Sequence, residues 1–295
     1  MTVLATSFAS EGTTCAGTYH VASVEGPRPC VILGHGFAMT RGARLERYAA
    51  RFAAAGLDAL TFDYRTFGGS AGEPRQWMDV RRQLADWRAA VAHARSLPGV
   101  DRSRIALWGT SFSGGHVVTI AASDPALAAV VSQVPFSGLG GGPRKTPNQP
   151  LHLARVIGAA LLDAAAAALG RHPHYLPVLA SPGQLGAFDR PGAAEQVAAL
   201  VDGDLTWENR FTPRVLLALA RYHPFARGAR VRCPVLLVLC DPDEVTPAAP
   251  ALRRAGVIPS LTVEHHDCAH FEIYQGEHFE RCVKSQIAFL CGHLA

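Results

Sequence analysis

The sequence has no stripe of cations, no CxxC spacing, no internal repeat and no uninterrupted apolar run of membrane length, and each absence removes a class of function. Its 28 Lys and Arg are scattered among 24 Asp and Glu, for a net charge of +4. Phosphate tracking needs clustered cations, so nucleic acid is not an expected partner. The cysteines stand far apart, at Cys15, Cys30, Cys233, Cys240, Cys268, Cys282 and Cys291, several of them inside apolar runs where a thiol acts as a small hydrophobe. They suggest neither a disulfide framework nor a metal site, and no cofactor is expected. A secretory leader needs a basic start and an apolar run, but the first Lys or Arg is Arg28 and no such run precedes it. A cytoplasmic protein is expected. The most apolar stretch, Ala154 to Gly170, carries Asp163 in its middle and falls short of the ~20 apolar residues of a span. It predicts a buried or lid helix and no stable membrane insertion.

What remains is a globular chain, with 48% hydrophobic and 18% charged residues, enough apolar surface for a sizeable core. At 295 residues, one core with one inserted appendage accounts for its length. Short β-rich runs alternate with segments of helical period, the pattern of an α/β fold with a mostly parallel sheet and helices on both faces. Val3 to Phe8 and Thr14 to Ala22 read as an opening antiparallel pair. Cys30 to Leu33, Ala59 to Phe62, Ile105 to Trp108, Ala128 to Val134, Val235 to Leu239 and Leu261 to Val263 complete eight strands, continuous apolar runs suited to burial on both faces. Trp77, Val80, Leu84, Trp87 and Val91 share one helical face, as do Phe279, Val283, Ile287 and Leu290. Leu45, Tyr48 and Phe52 mark another helix, which Gly56 ends in a left-handed cap. From about Phe136 to Gly228 the alternation stops. This Pro- and Gly-rich stretch, with helices near Leu151 to Leu169 and Pro213 to Tyr222, divides the chain into a core of residues 1–135 and 229–295 and a mostly helical cap of residues 136–228.

The strongest chemical signal is the run from Ile105 to Gly115, where a buried strand enters the turn Gly109-Thr110-Ser111-Phe112-Ser113 and then a helix. A sharp strand-to-helix turn strains its central residue and tolerates only small neighbours two positions away, which Gly109 and Ser113 supply. The helix start beside Ser111 also aims N–H groups and a positive dipole end at any oxyanion formed there. Val31 to Phe37 is a strand ending in Gly34-His35-Gly36-Phe37, and Asp63 to Ser70 is a Gly-rich loop after another strand. Late in the chain, Val235 to Leu239 leads into Cys240-Asp241-Pro242-Asp243-Glu244-Val245-Thr246-Pro247. Leu261 to His265 leads into His266-Asp267-Cys268-Ala269-His270-Phe271-Glu272-Ile273-Tyr274. His265 and His266 lack the surroundings of a metal site and are expected to face solvent.

Together these segments resemble the α/β-hydrolase family over nearly the whole chain. The turn at Ser111 resembles its GxSxG nucleophile elbow, with Ser113 in place of the last Gly. Gly34 to Phe37 resembles its HGx oxyanion segment, and Asp63 to Ser70 its structural D-x-R-G-x-G-x-S loop. The family's GxxDxxxP register selects Asp243 as the acid, leaving Asp241 as the alternative, and its G-H-F-x-x-Y ending selects His270. The resemblance implies Ser111 as nucleophile, His270 as general base, Asp243 as the orienting carboxylate, and the backbone N–H groups of Phe37 and Phe112 as oxyanion donors. His35 is expected to be structural. The implied chemistry is acyl transfer from a small molecule, a carboxylic ester, thioester or lactone with a hydrophobic portion. C–C or peptide cleavage, cyclisation of a biosynthetic intermediate and a non-catalytic binding role use the same constellation, and a homo-oligomer is compatible with it. Trp207, Phe211, His172, His174 and Tyr175 are open between pocket lining and cap packing.

Overall fold

The computed structural model describes residues 1–139, 149–189 and 192–295. Strands β1 (Thr2–Ser10) and β2 (Thr13–Val21) form an antiparallel pair with Phe8 opposite Cys15. They are followed by β3 (Arg28–Gly34), β4 (Asp58–Phe62), β5 (Val100–Thr110), β6 (Ala129–Gln133), β7 (Val235–Cys240) and β8 (Leu261–His266). All eight lie in one sheet of order β1-β2-β4-β3-β5-β6-β7-β8, antiparallel from β1 to β4 and parallel from β4 to β8. Cys30, Val31, Ile32 and Leu33 of β3 are fully buried, as a central strand covered on both faces requires. Strand β8 departs from that expectation. It is the edge of the sheet, and most of its side chains are only partly covered.

The helices are α1 (Leu45–Ala54), α2 (Val80–Ser96), α3 (Phe112–Ala121), α4 (Gln149–Ala168), α5 (Ala193–Val201), α6 (Val215–Leu219), α7 (Ala248–Ala255) and α8 (Gly276–Leu294). From β3 the chain runs through α1 outward to β4, then through α2 back across to β5 on the other side of β3. Right-handed crossovers in opposite directions put their helices on opposite faces. Accordingly α1 packs with α8, and α2 with α3. Gly56, two residues beyond α1, has φ +90° and supplies the left-handed stop. Helix α2 starts later than the apolar stripe predicts, because Asp79 caps it by accepting the N–H groups of Arg81 and Arg82 at 2.8 and 3.1 Å. Trp77 lies outside the helix, under the guanidinium groups of Arg82 and Arg214.

The segment between β6 and β7 holds α4, α5 and α6. Helix α6 is far shorter than the span expected from Pro213 to Tyr222, and α5 has no counterpart in the sequence reading. Helix α4 is mostly exposed, which rules out the first of the two alternatives, a buried or a lid helix, that its composition suggested. Leu151–Ala168 is long and apolar enough to cross a membrane, yet Leu151, Leu153, Ile157, Leu161 and Leu162 are exposed. Its contacts are made through a narrow side that carries Ala159, Ala160 and the fully buried Asp163. Asp163 accepts the N–H groups of His174 and Arg214, each at 3.1 Å, and pairs with the Arg214 guanidinium at 3.1 Å. One carboxylate therefore ties α4 to two loops of the insertion. Removing it strands a mostly buried guanidinium, so Asp163→Ala is expected to destabilise the protein by about 2–4 kcal/mol in chemical denaturation. A loss below about 0.5 kcal/mol would show that the staple is dispensable.

Candidate active site

The direction of travel reverses at β3, whose neighbours β4 and β5 are reached by connections running opposite ways. Open α/β sheets bind ligands at such a switch point, outside the carboxyl ends of the strands. The turns after β3, β5, β7 and β8 all lie at that edge, and they carry the residues singled out in the sequence.

Ser111 links β5 to α3 with φ 55° and ψ −116°, a backbone conformation rare for a residue with a side chain. Backbone hydrogen bonds hold it there. Its N–H donates to the Gln133 carbonyl at 2.9 Å, and its own carbonyl accepts from Gly114 at 3.0 Å and Phe136 at 2.8 Å. Gly109 is obligatory two residues earlier, since a Cβ there would lie 2.3 Å from the Ser113 carbonyl oxygen.

The Ser111 Oγ is 3.2 Å from His270 Nε2, and His270 Nδ1 is 2.6 Å from Asp243 Oδ2. All three residues are buried, with Ser111 the most accessible at 8% exposure. The other Asp243 oxygen accepts the N–H groups of Val245 and Thr246, both at 2.7 Å, and the Thr246 hydroxyl lies 2.9 Å from Oδ2. Burial pushes the Asp243 carboxyl up, but the His270 ring and these donors outweigh it and hold the group below its ordinary range. Asp241 takes no part. It is exposed and pairs with His265 at 2.7 Å. His265 faces solvent as expected, whereas His266 is buried, 2.7 Å from the Glu264 carboxylate. Consecutive strand residues point to opposite faces, so the two could not share one environment.

Across from the elbow, a Cβ on Gly36 would stand 3.1 Å from the Ser111 Cβ and 3.5 Å from its Oγ, so the segment that leads into Phe37 runs tight against Ser111. Among the described residues, neither the Phe37 N–H nor the Phe112 N–H donates to a protein acceptor. His35 is buried, with Nδ1 3.1 Å from the Gly36 carbonyl oxygen and its ring edge-to-face with Tyr64 at 4.6 Å. A cavity of about 700 Å³ opens over Ser111 and His270, walled mainly by apolar side chains such as Phe112, Leu176, Phe188 and Phe211. Of the five residues left open between lining and packing, Phe211 lines it. Trp207 donates instead to the Ala38 carbonyl at 3.1 Å, and Tyr175 to the Arg75 carbonyl at 2.8 Å.

Residues 25–272 match the family model of the hydrolases described as serine aminopeptidase, S33. The chain belongs to this α/β-hydrolase family. The hydrolase is 40% identical over 283 residues to the quorum-quenching protein AidA of Acinetobacter baumannii, covering 96% of this chain and 92% of that one. It is 26% identical over 290 residues to a thiohydrolase of Eupenicillium brefeldianum, covering 96% and 91%. The α/β hydrolase GrgF of Penicillium sp. sh18 superposes with a TM-score of 0.84 at 26% identity, covering 100% of this chain and 99% of that one. These likenesses make the protein an enzyme of the serine hydrolase type.

Three features of the hydrolase's site were not anticipated. Thr246 touches both acid and base, its hydroxyl 3.1 Å from His270 Nδ1 and 2.8 Å from the Val134 carbonyl oxygen. An Asp that accepts the N–H groups two and three residues on marks such a turn, so the signal lay in Asp243-Glu244-Val245-Thr246. Phe188 belongs to an irregular stretch without period, and nothing local marks it. The cysteines are distant in sequence, yet Cys240 and Cys268, in the acid and base turns, bring their sulfurs to 3.4 Å, and burial raises both thiols.

Burial lowers His35 from 6.5 to about 4 and His116 from 6.5 to about 3. A histidine whose folded pKa lies below its unfolded value binds fewer protons when folded. Its contribution to stability is complete above pH 6.5 and is lost as pH falls from there towards the folded value. At about 1.4 kcal/mol per pH unit for each fully titrating group, the pair should remove about 2 kcal/mol between pH 6 and pH 5. Urea denaturation at the two pH values tests this, and His116→Gln should remove about half of the drop.

Proposed function

We propose that the protein hydrolyses a carboxylic ester, thioester or lactone with a hydrophobic portion, by acyl transfer through Ser111, His270 and Asp243. The observation that carries this reading is the unbroken line from hydroxyl to imidazole to carboxylate, 3.2 Å and then 2.6 Å, at the floor of an apolar cavity. The Ser111 oxygen attacks the carbonyl carbon as His270 Nε2 takes its proton. Asp243, holding Nδ1–H, fixes the tautomer and stabilises the imidazolium. The two N–H groups of Phe37 and Phe112 receive the oxyanion. His270 then protonates the leaving alcohol or thiol and draws a proton from the water that releases the acid.

Residues 136–228 act as a cap that supplies the far wall of the cavity, through Val156, Leu176, Phe188 and Phe211 among others. A cavity of about 700 Å³ with few polar groups suits an acyl or alkyl portion of roughly drug size. The names of the relatives, a quorum-quenching protein and a thiohydrolase, fit an acyl compound of that kind.

Treatment with a fluorophosphonate followed by peptide mass mapping should place the adduct on Ser111. Turnover of a panel of aryl esters, thioesters and lactones should rise with acyl chain length. Ser111→Ala and His270→Ala are each expected to lower kcat by at least about 10⁴-fold, and Asp243→Asn by about 10³–10⁴-fold. Asp241→Asn should stay within about threefold, since the exposed Asp241 carboxylate pairs with His265. Undiminished turnover in Ser111→Ala would overturn the reading.

A further inference from the structure

Position 113 is occupied by serine where the family's elbow pattern has glycine, and the side chain is fully buried. Its Oγ lies 2.6 Å from the His35 carbonyl oxygen and is also bonded to the Tyr64 hydroxyl. The Tyr64 hydroxyl in turn lies 2.7 Å from Trp87 Nε1. The donor inventory fixes the direction of every bond. An indole N–H only donates, a carbonyl only accepts, and each hydroxyl has one proton to give. Trp87 therefore donates to Tyr64, Tyr64 to Ser113, and Ser113 to the His35 carbonyl. Tyr64 and Trp87 are both fully buried, so no water competes for these groups.

The chain of bonds ends on the peptide between His35 and Gly36. The next peptide carries the Phe37 N–H, one of the two donors proposed for the oxyanion. Gly36 stands between them, and the close approach of Ser111 leaves little room for a side chain there. The peptide that carries the Phe37 N–H is held through its own carbonyl oxygen, 3.1 Å from His35 Nδ1 and 3.4 Å from the Met39 N–H, and across the permissive Gly36 Ser113 supplies the second anchor, on the preceding carbonyl. Ser113 sits on the first turn of α3, one residue after Phe112, which carries the other donor. A single hydroxyl thus ties together the two separate strands of the polypeptide that each contribute one N–H.

We infer that Ser113, oriented by Tyr64 and Trp87, is a positioning residue that sets the spacing and aim of the two oxyanion donors. The inference rests on the reading of Ser111 as nucleophile. It makes serine at this position a requirement of this enzyme, although glycine is sterically the easier residue in an elbow. Preorganised donors act on the charge that develops in the transition state, so their misalignment affects kcat and spares substrate binding.

Ser113→Gly and Ser113→Ala are expected to lower kcat by about 10–100-fold with KM unchanged within about twofold, less than the 10²–10³-fold of losing a donor outright. Tyr64→Phe, which keeps the ring and leaves Ser113 free to turn, should lower kcat by about 3–10-fold. Binding of an alkyl trifluoromethyl ketone, which forms a tetrahedral oxyanion on the nucleophile, should weaken in step with kcat/KM in all three variants. Binding of the corresponding carboxylic acid product should hold within about twofold. Thermal unfolding checks that each variant is folded at the assay temperature. Full kcat in folded Ser113→Gly would overturn the inference, as would equal weakening of ketone and product. The underlying reading fails separately, through Ser111→Ala retaining turnover.

Discussion

The site depends on one strained residue. Ser111 takes a positive φ that a side-chain-bearing residue adopts only when its surroundings compel it, at a cost of the order of 1–3 kcal/mol. That compulsion comes from both sides of the turn. The parallel pairing of β5 with β6 delivers the Gln133 carbonyl to its N–H, and the first turn of α3 and the chain after β6 take its carbonyl. The gain is exposure in the right direction. A regular strand or helix would turn the hydroxyl into the sheet or along the helix axis, whereas the strained turn lifts it above the sheet edge towards His270.

Two further constraints follow from that placement. The carboxylate of Asp243 lies in a region with little water, where an unpaired charge is costly, and three N–H groups donate to its two oxygens, beside a Thr246 hydroxyl whose single proton the Val134 carbonyl also approaches. Two of those N–H groups come from its own turn, so Asp243 is held in place by local backbone as well as by His270. The base turn has its own tether, the Ala269 N–H bonded to Glu272 at 2.6 Å. Each member is therefore fixed by its own loop, and the sheet holds the loops in register.

This division explains what was legible in the sequence. The elbow, the acid turn and the base turn are local objects, each a buried strand followed by a few residues whose types are dictated by one tight geometry. Ser111, Asp243 and His270 could be read because their constraints act within about five residues. The central strands β3 to β7 were legible for a similar reason, since burial on both faces leaves a continuous apolar run. The failures lie where the constraint is distant. Trp77 continues a helical stripe in sequence, but the cap formed by Asp79 begins the helix after it, and Arg214, far along the chain, claims the ring. Ser113 looked like a tolerated departure from a pattern until the carbonyl it binds, 78 residues earlier, came into view.

The insertion was the least legible part, and its packing shows why. Its helices are short or mostly exposed, and besides brief buried stretches such as Ala193, Val197 and Leu200 of α5 they are held by scattered polar contacts: Asp163 with Arg214, Thr40 with Asp204, the Trp207 indole with the Ala38 carbonyl. Such pairs leave no period in the sequence, because each partner is a single residue whose mate is far along the chain. Among the contacts that cross to the core, those of Asp204 and Trp207 both land on the loop after β3, within three residues of Phe37. That loop is consequently gripped from below by Ser113 and from above by the insertion. A change in how the insertion seats would reach the Phe37 N–H directly, so the cavity wall and the N–H proposed as an oxyanion donor depend on one short piece of backbone.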